Sequence, residues 1–264
     1  MRGRGRVLFV GYAILYAPIA LLVATSFNDS RLTTEFTGFS LRWYAELAHD
    51  GPLLAAAWLS VRIAALSATG AALLGTAAGY ALARYGAFRA KRLFMALLAA
   101  PLVLPPLLIG LALLLLFVAV QQAIGFPERG ALTIAIAHIT ASLSYVALIV
   151  QARLADTGRE LDEAAADLGA TPAQTFRHVT LPLIAPAILS GWLLAFTLSL
   201  DDVVIASFVS GPGATTLPMV VFSRLRLGAT PEINALATVI LAVVAIFVLA
   251  AWRLAPVAGA RPRA

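Results

Sequence analysis

The chain has 264 residues, of which 61% are hydrophobic and only 12% are charged, with a mean hydropathy of +0.92 and a net charge of +6. These values exclude an ordinary soluble domain and predict an integral membrane protein, whose excess positive charge reports its orientation in the membrane rather than nucleic-acid binding. The absence of cysteine excludes structural disulfides, thiolate metal sites and cysteine nucleophiles.

Apolar runs long enough to cross a bilayer recur along the whole sequence. The first, Val7–Phe27, follows a basic N-terminus but lacks a small-x-small cleavage site, so it predicts a membrane span rather than a signal peptide. The predicted spans lie at about 7–27, 58–82, 93–120, 131–150, 183–209 and 233–254. The predicted fold class is therefore all-α, a single polytopic membrane domain over residues 1–264 with six transmembrane helices.

Two features stand out in the first half of the chain. The segment Ser40–Leu47 is amphipathic, and its Trp43 and Tyr44 are typical of the lipid headgroup region, so we expect it to lie at the membrane interface. In the second span, Gly75 and Gly79 form a GxxxG pattern, which indicates close packing against another helix.

The middle spans contain residues that are unusual inside a membrane. Pro101, Pro105 and Pro106 interrupt the third span and free backbone carbonyls. Those carbonyls must meet protein or water, so the helix either lines an internal cavity or carries a kink that only aids packing. His138 lies in the fourth span, where a histidine more often forms a hydrogen bond between helices than binds a ligand.

A polar segment, residues 157–182, separates the fourth and fifth spans, and we call it the polar island. Thr157 and Glu160 have the spacing of a capping box, which predicts that a short helix begins there. Its apolar residues follow at helical spacing: Leu161, Ala164, Ala165 and Leu168. Asp162, Glu163 and Asp167 make one side of this helix acidic.

Gly169 is predicted to end this helix with a positive φ angle. A second helix then begins at Thr171, with Pro172 at its first position and Gln174 completing a capping box. The resulting helix-turn-helix presents small and acidic residues, which is typical of a surface that docks another protein. A solvated hairpin between two spans is the alternative.

The fifth span contains two adjacent acids, Asp201 and Asp202, roughly 27 Å along the helix from Leu183 at 1.5 Å per residue. A carboxylate deep in a bilayer costs about 2.5–3.5 kcal/mol, which favours a functional cation site on the substrate pathway. The other interpretation is that the helix ends at Leu200 and the pair is solvated at the outer surface. Neighbouring helical residues point about 100° apart, so the two acids are not expected to face one cavity equally.

The basic residues predict the orientation, since thirteen lie in one set of alternate loops and six in the other. The thirteen, which should face the cytoplasm, are Arg2, Arg4, Arg6, Arg84, Arg89, Lys91, Arg92, Arg153, Arg159, Arg177, Arg253, Arg261 and Arg263. The six are Arg31, Arg42, Arg62, Arg129, Arg224 and Arg226. Both termini and the polar island are then cytoplasmic.

The polar island carries a spaced set of acidic, small and proline residues: Glu163, Ala164, Ala165, Gly169, Leu181 and Pro182. With Val179 in place of the usual isoleucine, this set resembles the EAA---G---------I-LP signature of the membrane subunits of ABC importers. The resemblance implies the fold of a type I importer permease. It also implies that the island is a coupling helix, which sits in a groove of a separate ATP-binding subunit and transmits its closure to the membrane helices.

The sequence does not provide an energy source of its own. Its one lysine, Lys91, stands in Ala-Lys-Arg, so no GxxxxGK[ST] motif can be built around it. There is also no HExxH or GxSxG motif, so no catalytic residues are predicted and the chain is not expected to be an enzyme. No cofactor or metal is expected in this chain, and ATP and Mg²⁺ are expected on the partner ATPase.

The stretch Leu198–Thr238 and the segment SLRWYAEL resemble the putrescine/spermidine, or polyamine, permeases. This resemblance implies a cell-inner-membrane complex with a second, related permease subunit, two ATP-binding subunits and an extracytoplasmic polyamine-binding protein. ABC permeases for other solutes, such as iron or thiamine, remain open. An ATP-independent secondary transporter would need internal repeats and ion-coupling groups of its own, and the sequence shows neither a repeated half nor a paired broken-helix pattern. A purely structural membrane protein would explain the spans, but it explains neither the polar island nor the acidic pair.

Overall fold

The computed structural model describes residues 2–30, 35, 37–228 and 231–254, with the backbone alone for 2–7, 227, 244, 247, 248 and 250–254. Within these ranges the chain is helical and has no strand beyond one isolated bridge between Asn28 and Phe39. The helices are α1 (Arg2–Thr25), α2 (Arg42–His49), α3 (Gly51–Arg84), α4 (Lys91–Val103), α5 (Pro106–Ile124), α6 (Ala131–Thr157), α7 (Glu160–Asp167), α8 (Pro172–Thr175), a π-helical turn (Phe176–Thr180), α9 (Leu181–Asp201), α10 (Val204–Val209), α11 (Leu217–Leu227) and α12 (Pro231–Leu254).

Five helical stretches among the described residues are long and apolar enough to cross a membrane. They are Leu8–Thr25, Gly51–Arg84, Pro106–Ile124, Ala131–Thr157 and Pro172–Asp201. The sixth predicted span corresponds to α12, a helix of 24 residues whose described apolar part is Pro231–Val243. All six predicted apolar runs are therefore helical, but the third and the fifth are each interrupted.

The third predicted span, 93–120, is two helices rather than one. Helix α4 ends at Val103, and α5 begins at Pro106 after two residues of extended backbone. The cause is local, because a residue that precedes proline is disfavoured in the α-helical region. Leu104 and Pro105 both precede a proline, and their ψ angles are 136° and 139°.

The fifth predicted span, 183–209, is also interrupted. Helix α9 ends at Asp201, and the short helix α10 begins at Val204. The Asp202 side chain accepts hydrogen bonds from the backbone N–H groups of Ile205 and Ala206, at 3.3 and 2.7 Å. An aspartate that caps the following turn in this way competes with continuation of the preceding helix.

Contacts divide the chain into two compact units, residues 55–220 and residues 1–54 with 221–264. In the 55–220 unit, α3 and α6 approach closely at the GxxxG pattern. A β-carbon on Gly75 would lie 2.7 Å from the Leu143 carbonyl oxygen, and one on Gly79 would lie 2.5 Å from that of Ala147. The predicted close packing at this pattern is confirmed, because only glycine leaves room for the partner backbone.

In the other unit, α2 packs against α12. The position of α2 at the membrane interface stays a prediction. Trp43 is buried, and its indole N–H donates to the Asn28 carbonyl at 2.6 Å. The Tyr44 hydroxyl lies 2.6 Å from that of Ser26. The polar ends of both rings are therefore satisfied by protein contacts.

An ion-pair network stands just before α3 in the same unit. The Arg224 guanidinium binds Asp50 at 2.5 Å and Glu232 at 2.9 Å. Partial burial raises the pKa of Asp50, but the Leu53 N–H and the Arg224 guanidinium outweigh it and hold this pKa below its ordinary value of 3.8. Asp50 therefore stays ionised at neutral pH, and the network ties the start of α3 to α11 and α12.

Candidate functional site

The first helix of the polar island, α7, begins two residues later than the sequence predicted. Thr157 is the last residue of α6, and its hydroxyl donates to the Arg153 carbonyl at 2.7 Å instead of capping α7. Gly158 follows with φ +70°, and Arg159 is the residue before the first turn. The capping box between Thr157 and Glu160 was therefore a wrong prediction, because the long α6 continues through the threonine.

Gly169 ends α7 as predicted, with φ +84°. Its N–H donates to the Ala166 carbonyl at 2.9 Å, and the N–H of Ala170 donates to that of Ala165 at 3.0 Å. This pair of bonds is the Schellman arrangement, which requires a left-handed residue at the glycine position. The residue type at position 169 is thus set by the backbone conformation of the turn.

The predicted start of a second helix in the polar island, at Thr171, is also present. Thr171 accepts from the Gln174 N–H at 3.4 Å, the Gln174 side chain accepts from the Thr171 N–H at 2.8 Å, and Pro172 holds the first helical position. This second helix is not separate, because it continues through the π-helical turn into α9. A displacement of the island would therefore act directly on the fifth span.

Asp162 anchors α7 to the rest of the 55–220 unit. Its carboxylate forms an ion pair with Arg84 at the end of α3, at 2.8 Å, and accepts a hydrogen bond from the buried Thr180 hydroxyl at 3.0 Å. Arg159 adds a hydrogen bond from its guanidinium to the Arg84 carbonyl at 2.9 Å. Charge-assisted bonds of this kind are stronger than neutral ones. Asp162 therefore points inward and is not part of the acidic outer surface that the sequence suggested.

The remaining signature residues of the island lie at or near its surface. Glu163, Ala164 and Gly169 are exposed, while Ala165 is half-buried. Leu181 is half-buried at the start of α9, and Pro182 follows it on the exposed side. The apolar side chains of Leu161 and Leu168 are 49% and 90% exposed. This combination of exposed leucine, small residues and the exposed acids Glu160, Glu163 and Asp167 has the character of a protein-binding surface.

A cleft of about 370 Å³ opens beside this surface. It is lined by Tyr80, Arg84, Arg159, Asp162, Glu163, Ala166, Ala170, Pro172 and Thr175. Its walls contain Arg84, Arg159 and Asp162, which hold α7 to the end of α3, together with the exposed Glu163. The cleft lies where α7, α8 and the end of α3 meet.

The two acids of the fifth span have different surroundings. Asp202 is partly buried, and besides capping α10 it lies 3.2 Å from Nε2 of His138. The other ring nitrogen, Nδ1, lies 2.6 Å from the Ser199 hydroxyl. His138 on α6 thus contacts Ser199 on α9 and Asp202 directly after α9, which confirms the prediction of a hydrogen-bonding group between helices.

Asp201, by contrast, is exposed, and within the described ranges no basic side chain forms an ion pair with it. Asp201 is a carboxylate available to a ligand, whereas Asp202 is already engaged.

The broken third span borders the same region. A cavity of about 120 Å³ is lined by Pro101, Pro106, Ile109, His138, Ala141, Ser142, Tyr145, Leu198, Ser199, Asp202 and Ile205. Of the two interpretations of the prolines, the structure favours the cavity. The partnership of His138 with Ser199 and Asp202 was missed from the sequence, because the partners are 61 and 64 residues away from it.

Comparison with known proteins identifies the class. Residues 71–257 match the family described as binding-protein-dependent transport system inner membrane component, and the chain belongs to that family. It is thus a multi-pass permease subunit of the inner membrane, a transport component rather than an enzyme. Such a subunit works with a separate ATPase and a solute-binding protein.

Two relatives and one solved structure define the likeness further. The chain is 56% identical to putrescine transport system permease protein PotI of Escherichia coli K12 over 249 residues, covering 94% of this chain and 89% of that one. It is 42% identical to spermidine/putrescine transport system permease protein PotC of Haemophilus influenzae over 238 residues, covering 90% of each chain. A chain of a bacterial ABC transporter that imports the acidic polysaccharide alginate superposes with a TM-score of 0.72 at 15% identity, covering 96% of this chain and 95% of that one, which supports the fold alone.

Proposed function

We propose that this chain is a permease subunit of an ATP-driven polyamine importer, with putrescine as the leading substrate, and that it forms half of the translocation pathway. The observation that carries the proposal is the 56% identity to a putrescine permease over 94% of the chain. The 42% identity to a spermidine/putrescine permease favours the same substrate class.

The complete importer contains this chain, a second and related permease subunit, two ATP-binding subunits and an extracytoplasmic polyamine-binding protein. ATP and Mg²⁺ are bound by the ATP-binding subunits. The absence of any GxxxxGK[ST] motif in this sequence supports that division of labour. Both termini and the polar island face the cytoplasm, which is supported by the thirteen-to-six distribution of basic residues.

The polar island is the coupling element, and its contact residues are Glu163, Ala164, Ala165, Gly169, Leu181 and Pro182. The exposed surface of α7 suits a groove on the ATPase, with Leu168 as its most exposed apolar side chain. The Arg84–Asp162 ion pair and the continuous helix from Pro172 to Asp201 support mechanical transmission. Closure of the ATPases would move α7, and α7 would carry the ends of α3 and α9 with it.

The acidic pair serves the substrate in two different ways. Asp201 offers an exposed carboxylate that attracts a protonated amine arriving from the binding protein. Asp202 is a positioning residue, since its oxygens hold α10 and His138. Asp202 thereby fixes the place where α9 ends and Asp201 is presented.

Reconstitution in proteoliposomes tests this function. The complete complex, with binding protein outside and ATP inside, should accumulate radiolabelled putrescine, and the uptake should vanish when the ATP-binding subunits are omitted. Unlabelled spermidine should compete, whereas thiamine should not. Uptake that persists without the ATPase, or that thiamine abolishes and spermidine does not, would refute the proposal.

A further inference from the structure

Helix α9 carries a line of exposed polar side chains that its packing does not require. Ser190, Thr197 and Asp201 are all exposed, and their spacings of seven and four residues place them on one helical face. The residues of α9 that are buried lie on a different face: Ile184, Gly191, Ala195 and Ser199. The polar line is thus directed away from the helices on which α9 packs, in a segment long and apolar enough to span a membrane.

The hydrogen bonds that Ser190 and Thr197 already make determine which chemical groups these side chains can bind. The Ser190 hydroxyl donates to the Pro186 carbonyl, and the Thr197 hydroxyl donates to the Leu193 carbonyl, both at 2.9 Å. Because each hydroxyl proton is used within the helix, both side chains present only oxygen lone pairs outward. Asp201 when ionised is likewise an acceptor. The line therefore offers acceptors alone, which suits an ammonium group with its three donors and does not suit an anion.

The spacing along the helix suits a linear diamine. At 1.5 Å per residue, Thr197 is about 6 Å from Asp201 along the axis, and Ser190 is about 10 Å further on. A four-carbon chain with an amine at each end spans about 6 Å when extended, from ordinary single-bond lengths. One ammonium group can then reach Asp201 while the other reaches Thr197.

Resting on the function proposed above, we propose that Asp201, Thr197 and Ser190 form a one-sided acceptor track, along which the ammonium groups of a linear diamine pass into the membrane. Thr197 is its specificity-determining residue, because it binds the second ammonium group of a four-carbon diamine. A single charge followed by two neutral acceptors attracts the substrate without capturing it tightly, as onward passage requires.

Thiol labelling tests whether the track is water-lined, independently of any substrate. The chain has no cysteine, so Ser190→Cys or Thr197→Cys introduces the one reactive thiol of this subunit in the intact complex. Modification is read on this chain by intact mass. Both thiols should react with a cationic thiosulfonate reagent, whereas Leu189→Cys, at a position 60% exposed on a neighbouring face, should not. The reaction at Thr197→Cys should slow several-fold in the presence of Asp201→Asn.

Uptake measurements test the acceptor role. Thr197→Val keeps the shape of the side chain and should lower putrescine uptake at sub-saturating concentration several-fold, with little effect on uptake at saturation. The matched control is Thr140→Val on α6, where the hydroxyl also donates to its own helix, to the Ile136 carbonyl at 2.8 Å. This control should stay within twofold of wild type.

The outcomes separate the two proposals. Labelling at 190 and 197 no faster than at 189 overturns the track, and so does a Thr197→Val variant that transports like Thr140→Val. A wild-type complex that takes up no putrescine refutes the proposed substrate instead, while the labelling rates still decide whether a cation-attracting track exists.

Discussion

Asp201 and Asp202 are neighbours in the sequence but have opposite surroundings. Asp202 accepts two backbone hydrogen bonds and contacts a buried histidine, whereas Asp201 is exposed without an ion-pair partner among the described residues. Hydrogen bonds to a charged group contribute about 1.5–3 kcal/mol each, so the two positions differ in what a neutral amide would remove. We therefore expect stability to depend on Asp202, and we propose that ligand attraction depends on Asp201.

We therefore expect Asp202→Asn to lower the thermal stability of the purified complex and its yield. Asp201→Asn should unfold at the wild-type temperature, assemble with its partners and hydrolyse ATP, yet take up less polyamine. Thermal unfolding in detergent and radiolabelled uptake measure the two effects. Equal losses of stability in both variants would contradict the division of roles, and near-normal uptake by the double variant at wild-type expression would remove the pathway role altogether.

A second pair of neighbouring acids, Asp162 and Glu163, offers a parallel test on α7. Asp162→Asn removes the ion pair with Arg84 and leaves a neutral amide oxygen as a weaker acceptor for the Thr180 hydroxyl, so α7 should open more readily to hydrogen exchange. Glu163→Gln removes only an exposed charge and should leave that exchange unchanged, while binding to the ATP-binding subunits weakens. Faster exchange in Glu163→Gln than in Asp162→Asn would show that their orientations are reversed.

At the scale of elements, the turn after α7 limits which residues can replace Gly169 in the polar island. A left-handed conformation costs a residue with a β-carbon about 1–2 kcal/mol, and proline cannot adopt it. Gly169→Pro should therefore disrupt the Schellman turn, and Glu163→Lys should reverse a charge on the exposed face. We expect both variants to insert all spans and lose ATP-driven uptake. Wild-type uptake by both variants, with the full set of partners, would show that the island does not couple transport to ATP.

The contact between α3 and α6 depends on glycine in a different way. A β-carbon at Gly79 would lie 2.5 Å from the Ala147 carbonyl oxygen, so Gly79→Ala must push the helices apart. Overpacking of this kind costs about 1–3 kcal/mol, and we expect a lower unfolding temperature. Gly51→Ala on the same helix is the matched control, because a β-carbon there meets nothing within 4 Å. A smaller effect at Gly79 than at Gly51 would mean that the helices do not touch there.

At the scale of the whole molecule, the distribution of basic residues predicts which face of the membrane each loop occupies. Cysteine at Ala166 or Ala87, both exposed, should be labelled by an impermeant reagent only from the cytoplasmic side. The loop between α10 and α11 is predicted to face the outside, and a cysteine there would report that side. Ala214 in this loop is only 3% exposed, so Thr215 beside it, which is exposed, is the better position. Thr215→Cys should be labelled only from outside. Labelling of Thr215→Cys and Ala166→Cys from the same face would refute the predicted orientation and the cytoplasmic position of the island.

The sequence by itself determined the features that depend on neighbours close along the chain. Six apolar runs became helices, Gly169 adopted its predicted positive φ, and Thr171 with Gln174 formed the second capping box. Each depends on burial of a continuous apolar stretch or on backbone preferences within one turn, and such signals are complete within a short window. The family signature of the island is local in the same sense.

Tertiary structure decided which polar groups are engaged and which are free. Whether Asp162 or Glu163 turns inward depends on Arg84, at the end of a different helix, and the fate of Asp202 depends on His138, 64 residues away. Likewise, Thr157 could have capped α7, but it became the last residue of α6. A buried polar group must find its partner wherever the fold places one, so its role is set by contacts between helices that no local pattern encodes.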